Sequence, residues 1–224
     1  MLSIWILLWI ACSSCSSVYY AGLERVGVPK RDLLERRVER AQESQQDVKR
    51  QFSSALERFR DTVRVDAGEL EERYDALKDE LACSDQRAKQ LGERIDEVRD
   101  VAEALFEEWE EELDDYHRAD LRAASARQLA QTKAAYVPMI DAMKRAHQQV
   151  EPVLDAFRDV VLALKHQLNA AALASIQGEL ASVEREVSEL MQSMNVAIAE
   201  AGKFLGRLGE QREAHVTNRG TQPS

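Results

Sequence analysis

Residues 91–109 read LGERIDEVRDVAEALFEEW, and apolar side chains recur there in alternate steps of four and three. The apolar positions are Leu91, Ile95, Val98, Ala102, Leu105 and Trp109. This spacing puts them on one face of an α-helix and leaves the charged residues on the other faces. The stretch therefore predicts a long amphipathic helix that packs against neighbouring helices.

The same spacing extends in the N-terminal direction and recurs in three other segments. The four series begin at Leu34, Leu70, Tyr136 and Leu173 and end at Phe59, Trp109, Leu168 and Leu208. A strict seven-residue repeat is shorter than two natural helix turns, so the helices should supercoil with a left hand. Turns are expected near 65–68, 117–120 and 167–171, with Asn169 as an N-cap or a left-handed turn residue. Such short turns make consecutive helices antiparallel.

The composition agrees with this pattern, since 31% of the 224 residues are charged and only nine are Gly. We predict an all-α fold: an elongated, antiparallel, left-handed coiled-coil bundle of four helices, or of three if the first packs loosely. The bundle should occupy residues 31–210 and be followed by a flexible tail over 211–224. Pro138 and Pro152 should share the solvent face and bend the third helix, with a break at Val137–Pro138 as the alternative.

The segment ahead of the bundle begins with an uncharged apolar run over residues 2–11. The run is too short to span a membrane and has the length of a signal-peptide core. Small residues precede two nearby cysteines, as they precede the lipidated cysteine of bacterial lipoproteins. We predict a lipoprotein signal peptide at 1–14, lipidation at Cys15 with Cys12 as the alternative, and a lead over 15–30. A Cys-x-x-Cys redox motif would need a βαβ setting, which the helical pattern does not provide.

Basic residues cluster at the predicted start of the first helix. The chain as a whole has a formal net charge of −10, which argues against a nucleic-acid-binding protein. The cluster consists of Lys30, Arg31, Arg36, Arg37 and Arg40. Acids are interleaved with these residues, which favours a solvated, salt-bridged helix face. Contact with anionic lipid headgroups is the alternative interpretation.

Acidic residues cluster at the end of the second helix, where FEEWEEELDDYH (106–117) contains seven carboxylates. Acids oppose the helix dipole at a C-terminus, so a basic partner is expected to dock there. The candidate docking residues are Glu107, Glu108, Glu111, Glu112 and Asp115. A divalent-cation site is conceivable, and Asp114-x-x-His117 resembles half of a di-iron pair, but a di-iron core needs that pair twice and inward acids. We predict no metal site.

No P-loop, HExxH, GxSxG or dinucleotide-binding motif occurs in the sequence. His147 falls on an apolar series and is expected to be a hydrogen-bonded core histidine. Cys83 is expected to be a single thiol on the side of a helix. We predict a protein that is not an enzyme and has no cofactor.

Three long strings carry a resemblance to a known family. They are CSSVYYAGLERVGVPKRDLLERRVERA (15–41), ALFEEWEEELDDY (104–116) and PVLDAFRDVVLALKHQLNAAALASIQGEL (152–180). With their spacing, they resemble the bacterial family called domain of unknown function 2959, from Cys15 to about Gly209. The resemblance implies a Gram-negative envelope lipoprotein of long helices, without assigned activity or catalytic residues.

These observations together predict a non-catalytic envelope lipoprotein with a structural or protein-interaction role. Because Ser16, and not Asp, follows Cys15, we expect it at the periplasmic face of the outer membrane. Its expected partners are unknown envelope proteins and the membrane, through the lipid anchor, and a homo-oligomer is possible. The alternative is a membrane-surface module that uses the basic cluster.

Overall fold

A computed structural model describes residues 29–64, 69–166 and 169–220, and within these ranges the chain forms helices and no strand. The helices are α1 (Lys30–Thr62), α2 (Leu70–Asp115), α3 (Ala119–Gln148), α4 (Val150–His166) and α5 (Ala170–Gly220). α3 and α4 follow one another directly, with an interruption at Gln149, and act as one rod of the bundle.

The four rods form a ring in which each packs mainly against two neighbours. α1 packs against α2 and α5, and the α3–α4 rod packs against α2 and α5 on the other side. Each rod is antiparallel to both neighbours, and at 1.5 Å per residue α2 and α5 are about 70 Å and 75 Å long. The predicted all-α, elongated, antiparallel four-helix bundle is therefore confirmed, and the three-helix alternative is not adopted.

The bundle has two ends, to which we give fixed names. The proximal end holds the start of α1, the 116–118 turn between α2 and α3, and the end of α5. The distal end holds the end of α1, the start of α2, the end of α4 and the start of α5. The predicted turn at 65–68, the first two residues of the predicted turn at 167–171, the predicted signal peptide and most of the lead lie outside the described residues.

The predicted apolar series form the core. All members of the first series are buried, and every described member of the other three is buried or half-buried. Phe157 of α4 lies between two α1 rings, 6.4 Å from the ring of Phe52 and 6.3 Å from that of Phe59. Burial of each such side chain contributes about 1.5–3 kcal/mol, so the core stabilises the bundle along its length.

Gln45 is a polar member of the first series, and its side chain is fully buried. Neither its amide nitrogen nor its amide oxygen has a hydrogen-bond partner within the described residues. An unsatisfied buried polar group costs about 1–3 kcal/mol. Nothing in the structure explains why this position is not apolar.

Both prolines of the third rod are exposed, as predicted. The alternative of a break at Val137–Pro138 is wrong, because α3 continues through Pro138. The interruption lies instead at Gln149. Helix α4 restarts at Val150, which places Pro152 in a first turn, where a missing N–H and a fixed φ are tolerated.

The two ends of α5 test two further predictions. Asn169 is an N-cap, because its Oδ1 accepts hydrogen bonds from the N–H groups of Ala171 (2.9 Å) and Ala172 (3.1 Å). At its other end, α5 continues past residue 210, the predicted end of the bundle, and ends at Gly220. Residues 210–214, EQREA, are good helix formers, and Gln211 Oε1 accepts a 3.3 Å hydrogen bond from Thr132 of α3.

Candidate functional site

The acidic end of α2, residues 107–115, lies at the proximal end, and three of its carboxylates form ion pairs with other helices. Glu108 pairs with Lys30 of α1 at 2.7 Å. Glu110 pairs with Lys133 of α3 at 2.6 Å, and Asp114 with Arg122 at 2.7 Å. Glu108, which belongs to the predicted docking set, thus helps to hold α1 against α2.

The other four predicted docking residues point outward. Glu107, Glu111, Glu112 and Asp115 are exposed, and none of them forms an ion pair within the described part of the chain. The last turn of α2 contains no basic residue. Glu112 and Asp115 lie in that turn and meet the negative end of the helix dipole, which costs about 0.3–1 kcal/mol each. We call these four residues the acidic fan.

Trp109, on the same turns of α2 as the acidic fan, connects α2 to α1 and α3. Its side chain is buried, and its indole Nε1–H donates a 2.8 Å hydrogen bond to Ser125 Oγ of α3. The Arg31 guanidinium of α1 lies 4.5 Å from the centroid of the indole ring, within the range of a cation–π interaction. Burial lowers the pKa of Arg31. Three helices are therefore joined directly beneath the acidic fan.

The basic cluster at the start of α1 faces two directions. Lys30, Arg31 and Arg37 turn toward α2, where Arg37 pairs with Glu97. Arg36 and Arg40 are exposed. Lys30 and Arg37 thus form ion pairs with acids of α2, whereas the sequence pattern pointed to the interleaved acids of α1. Lipid contact stays a prediction for Arg36 and Arg40, since the other three side chains lie against a neighbouring helix.

Glu97 of α2 is bound by two arginines, one from α1 and one from its own helix. Arg37 reaches it from α1, and Arg94 Nη1 donates to its two oxygens at 2.9 and 3.0 Å. Burial acts to raise the pKa of Glu97, but the hydrogen bonds and charges of the two arginines outweigh it, so the pKa is lowered. The carboxylate is therefore held in its charged form.

Several other predicted residues have a place in the structure. Cys83 is an exposed free thiol on α2, as expected. His147 is half-buried, and its ring lies so close to Gly92 that a Cβ there would be 3.0 Å from Nε2. Cys12 and Cys15 lie outside the described residues.

The described part of the chain contains neither a cluster of metal ligands nor a helix suited to span a membrane. No three or more His, Cys, Asp or Glu side chains lie close enough there to hold a metal ion. None of the helices described above combines the length and the apolar character that crossing a membrane requires.

The fold defines this chain as an elongated all-α protein, an antiparallel four-helix bundle. The family described as "Protein of unknown function (DUF2959)" matches residues 19–208. The chain belongs to this family, which confirms the resemblance found in the sequence. Comparisons with curated proteins and with solved structures gave no match.

Proposed function

We propose that this protein is a non-catalytic, lipid-anchored envelope protein that binds protein partners through the surfaces of its bundle. The observation that carries the proposal is the acidic fan, four exposed carboxylates near the end of α2, of which Glu112 and Asp115 lie in the last turn, where the helix dipole disfavours them. Lysine or arginine side chains of a partner would relieve both the mutual repulsion of these acids and their conflict with the dipole.

The buried surroundings of the acidic fan support docking at this end. Leu105 and Trp109 occupy the inward positions of the same turns, so the carboxylates diverge and do not converge on a common centre. A diverging set suits a partner surface better than a single small cation, which needs several oxygens at 2.3–2.6 Å. Binding should weaken as salt rises, because exposed charges are screened over about 8–10 Å.

The sequence ahead of α1 supports the lipid anchor. Cys15 follows an apolar run of signal-peptide length, and α1 begins at Lys30, at the proximal end. A lipid on Cys15 would therefore tether the end that carries the acidic fan. The fourteen residues between them span at most about 50 Å. Ser16 after the cysteine favours the periplasmic face of the outer membrane.

A membrane-surface role for the basic cluster is the second candidate. Arg36 and Arg40 are exposed and could meet anionic headgroups. The acidic fan, however, lies at the same end of the bundle and would be repelled by the same headgroups. We therefore place the protein-interaction role first.

The anchor is tested by labelling cells with palmitate. We expect the label to be lost in Cys15→Ala and kept in Cys12→Ala, and the labelled protein to sediment with outer-membrane fractions on a density gradient. Loss in Cys12→Ala alone would move the lipid to the other cysteine. Labelling that persists in both variants, or sedimentation with the inner membrane, would contradict the anchor as proposed.

The acidic fan is tested by crosslinking and pulldown from the native envelope. The variant carries Glu107→Gln, Glu111→Gln, Glu112→Gln and Asp115→Asn, and leaves Glu108 in its ion pair with Lys30. The matched control carries Glu71→Gln, Glu72→Gln, Asp75→Asn and Asp79→Asn, four exposed acids near the distal end. We expect a salt-sensitive partner to be lost from the first variant only.

Calorimetry with Ca²⁺ and Mn²⁺ on the same proteins separates docking from metal binding. Docking predicts no saturable uptake of either ion at micromolar concentration. The opposite result would be micromolar metal binding that is lost in the fan variant while partner capture is unchanged. It would show that these acids bind a metal ion and not a partner protein.

A further inference from the structure

Three of the four seams between neighbouring rods are crossed by ion pairs. Arg58 meets Glu80 across α1–α2 at 2.9 Å, Arg60 meets Glu184 across α1–α5 at 2.7 Å, and Arg158 meets Asp85 across α2–α4 at 2.6 Å. Among the described residues, no ion pair crosses the fourth seam, between the α3–α4 rod and α5. The side-chain hydrogen bond found across it there is Thr132 to Gln211, near the proximal end.

The distal half of this fourth seam opens into a groove of about 510 Å³ between α4 and α5. Its floor is apolar and consists of the buried side chains Val160, Ile176 and Val183. Small residues form its walls, among them Ala156 and Ala163. Because these side chains are short, neither helix covers the floor from above.

Three carboxylates line the rim of the groove. Asp159 of α4 and Glu179 of α5 are exposed, and Glu186 of α5 is half-buried. Glu186 accepts a 3.3 Å hydrogen bond from Ser182, and none of the three forms an ion pair within the described residues. The carboxylates on the two sides of the groove carry the same charge. They therefore cannot form ion pairs with each other, as the opposed side chains at the other seams do.

We propose that this groove binds a helical segment of another protein. Small apolar side chains of the segment would face the floor, and lysines or arginines beside them would face Asp159, Glu179 and Glu186. Helix-in-groove recognition uses this combination of an apolar stripe and flanking charge. The proposal extends the interaction role proposed above to a second surface, which is separate from the acidic fan.

The charge of the rim also argues against a second copy of this chain as the occupant. A symmetric pairing of two such grooves would bring six rim carboxylates together, against the Arg185 guanidinium of each copy, which donates a 3.1 Å hydrogen bond to Ser182. The net charge of −10 adds long-range repulsion between two copies.

The test uses the full chain and a synthetic, dye-labelled helical peptide with an Ala/Leu stripe flanked by lysines. A second peptide has glutamate in place of every lysine. Fluorescence anisotropy should give saturable binding of the lysine peptide, weaker at high salt, and no binding of the glutamate peptide. Equal binding of both peptides, or binding of neither, would overturn the proposal.

Variants locate the binding. Asp159→Asn, Glu179→Gln and Glu186→Gln together should weaken it about tenfold, as the loss of three exposed ion pairs implies. The matched control Glu71→Gln, Glu72→Gln and Asp75→Asn should stay within about twofold. Ser175→Trp, at an exposed wall position, should block the groove without altering the melting temperature. Unchanged binding in Ser175→Trp, or equal loss in the control, would place the peptide elsewhere.

Two further measurements keep this proposal distinct from the role of the acidic fan. The fan variant should bind the lysine peptide as the native chain does, and loss of binding there would assign the peptide to the proximal end. Sedimentation that shows a dimer dissolved by the groove substitutions would make a second copy the occupant and overturn the proposal. Because the peptide assay needs neither the anchor nor the fan, its failure leaves the proposed envelope role standing.

Discussion

The α1–α2 seam and the α4–α5 seam enclose the same apolar core but are flanked by different side chains. Across α1–α2, arginines and acids of opposite helices meet, as in Arg37–Glu97 and Arg58–Glu80. Across α4–α5, the residues that flank the buried floor are Pro152, alanines, serines and acids, and Arg185 bonds to Ser182 of its own helix. The comparison shows that the apolar repeat determines which helices pack together, whereas the flanking residues determine whether the surface between them is closed.

The fourth seam is itself divided into two parts. In its proximal half, the ring of Tyr136 on α3 packs edge-on against Phe204 of α5 at 6.2 Å and against Phe106 of α2 at 5.4 Å. The groove begins beyond the interruption at Gln149, where α3 gives way to α4. Aromatic packing thus closes one half of the seam, and short side chains leave the other half open.

The largest effect is expected from charges placed in the core, which both seams share. Val98→Asp on α2 and Leu154→Asp on α4 replace buried residues, and an unpaired buried charge costs several kcal/mol against a total stability of about 5–15 kcal/mol. We expect both variants to lose the cooperative thermal unfolding transition. Circular dichroism as a function of temperature measures it. Val137→Asp, at a residue 52% exposed, is the control and should melt as the native chain does. Native melting of both core variants would contradict the shared core.

A smaller, pH-dependent effect is expected at the closed half of the fourth seam. Burial raises the pKa of Tyr136 from 10.0 to about 12, so the folded protein keeps the phenol neutral where the unfolded chain ionises it. Stability should fall as pH rises from about 10 to about 12, by about 2 kcal/mol from this group. In Tyr136→Phe, the free energy of unfolding should fall less over this pH range, because the phenol is absent. Urea unfolding at each pH measures the difference. Tyr116→Phe, an exposed control, should keep the full loss of stability.

The smallest effect compares one substitution on the two seams. Glu97→Gln removes the acceptor shared by Arg37 and Arg94 and should cost about 1 kcal/mol, whereas Glu186→Gln in the groove should change stability by less than about 0.5 kcal/mol. The folded pKa of Glu97 lies below 4.5, so its contribution is complete above about pH 4.5 and is lost as pH falls through the folded pKa. Urea unfolding at pH 7 and pH 3 measures both differences. If Glu97→Gln and Glu186→Gln lowered the free energy of unfolding equally at pH 7, the proposed difference between the α1–α2 and α4–α5 seams would be contradicted.

The sequence was sufficient to predict the fold because burial follows helix periodicity. Each apolar series predicts the buried face of its own helix without knowledge of the helices that pack against it. Leu91 and Leu190, for example, are fully buried as expected. The N-cap at Asn169 was also readable, since its signal is local. The end of α5 was missed because residues after 210 lack an apolar repeat, although they favour a helix.

The surfaces were less predictable, because they depend on the register between helices. The acidic end of α2 was visible as a composition bias, but the pairing of Glu108 with Lys30 requires α1 and α2 to be aligned at that level. The groove was missed entirely. Ala156, Ala163 and Ser175 are ordinary helix residues, and only their position opposite one another on α4 and α5 leaves a gap.

The return of the chain to its starting end has a mechanical consequence. Lys30 and the end of α5 lie on neighbouring antiparallel rods at the proximal end, so a force that pulls them apart acts at one extremity of the α1–α5 seam. Such a force loads the contacts one after another, first Glu35–Arg212, then the hydrogen bond from Gln42 to the Ile198 carbonyl, then Lys49–Asn195. The bundle should therefore unzip at low tension, while it resists compression along its axis as a strut about 70 Å long.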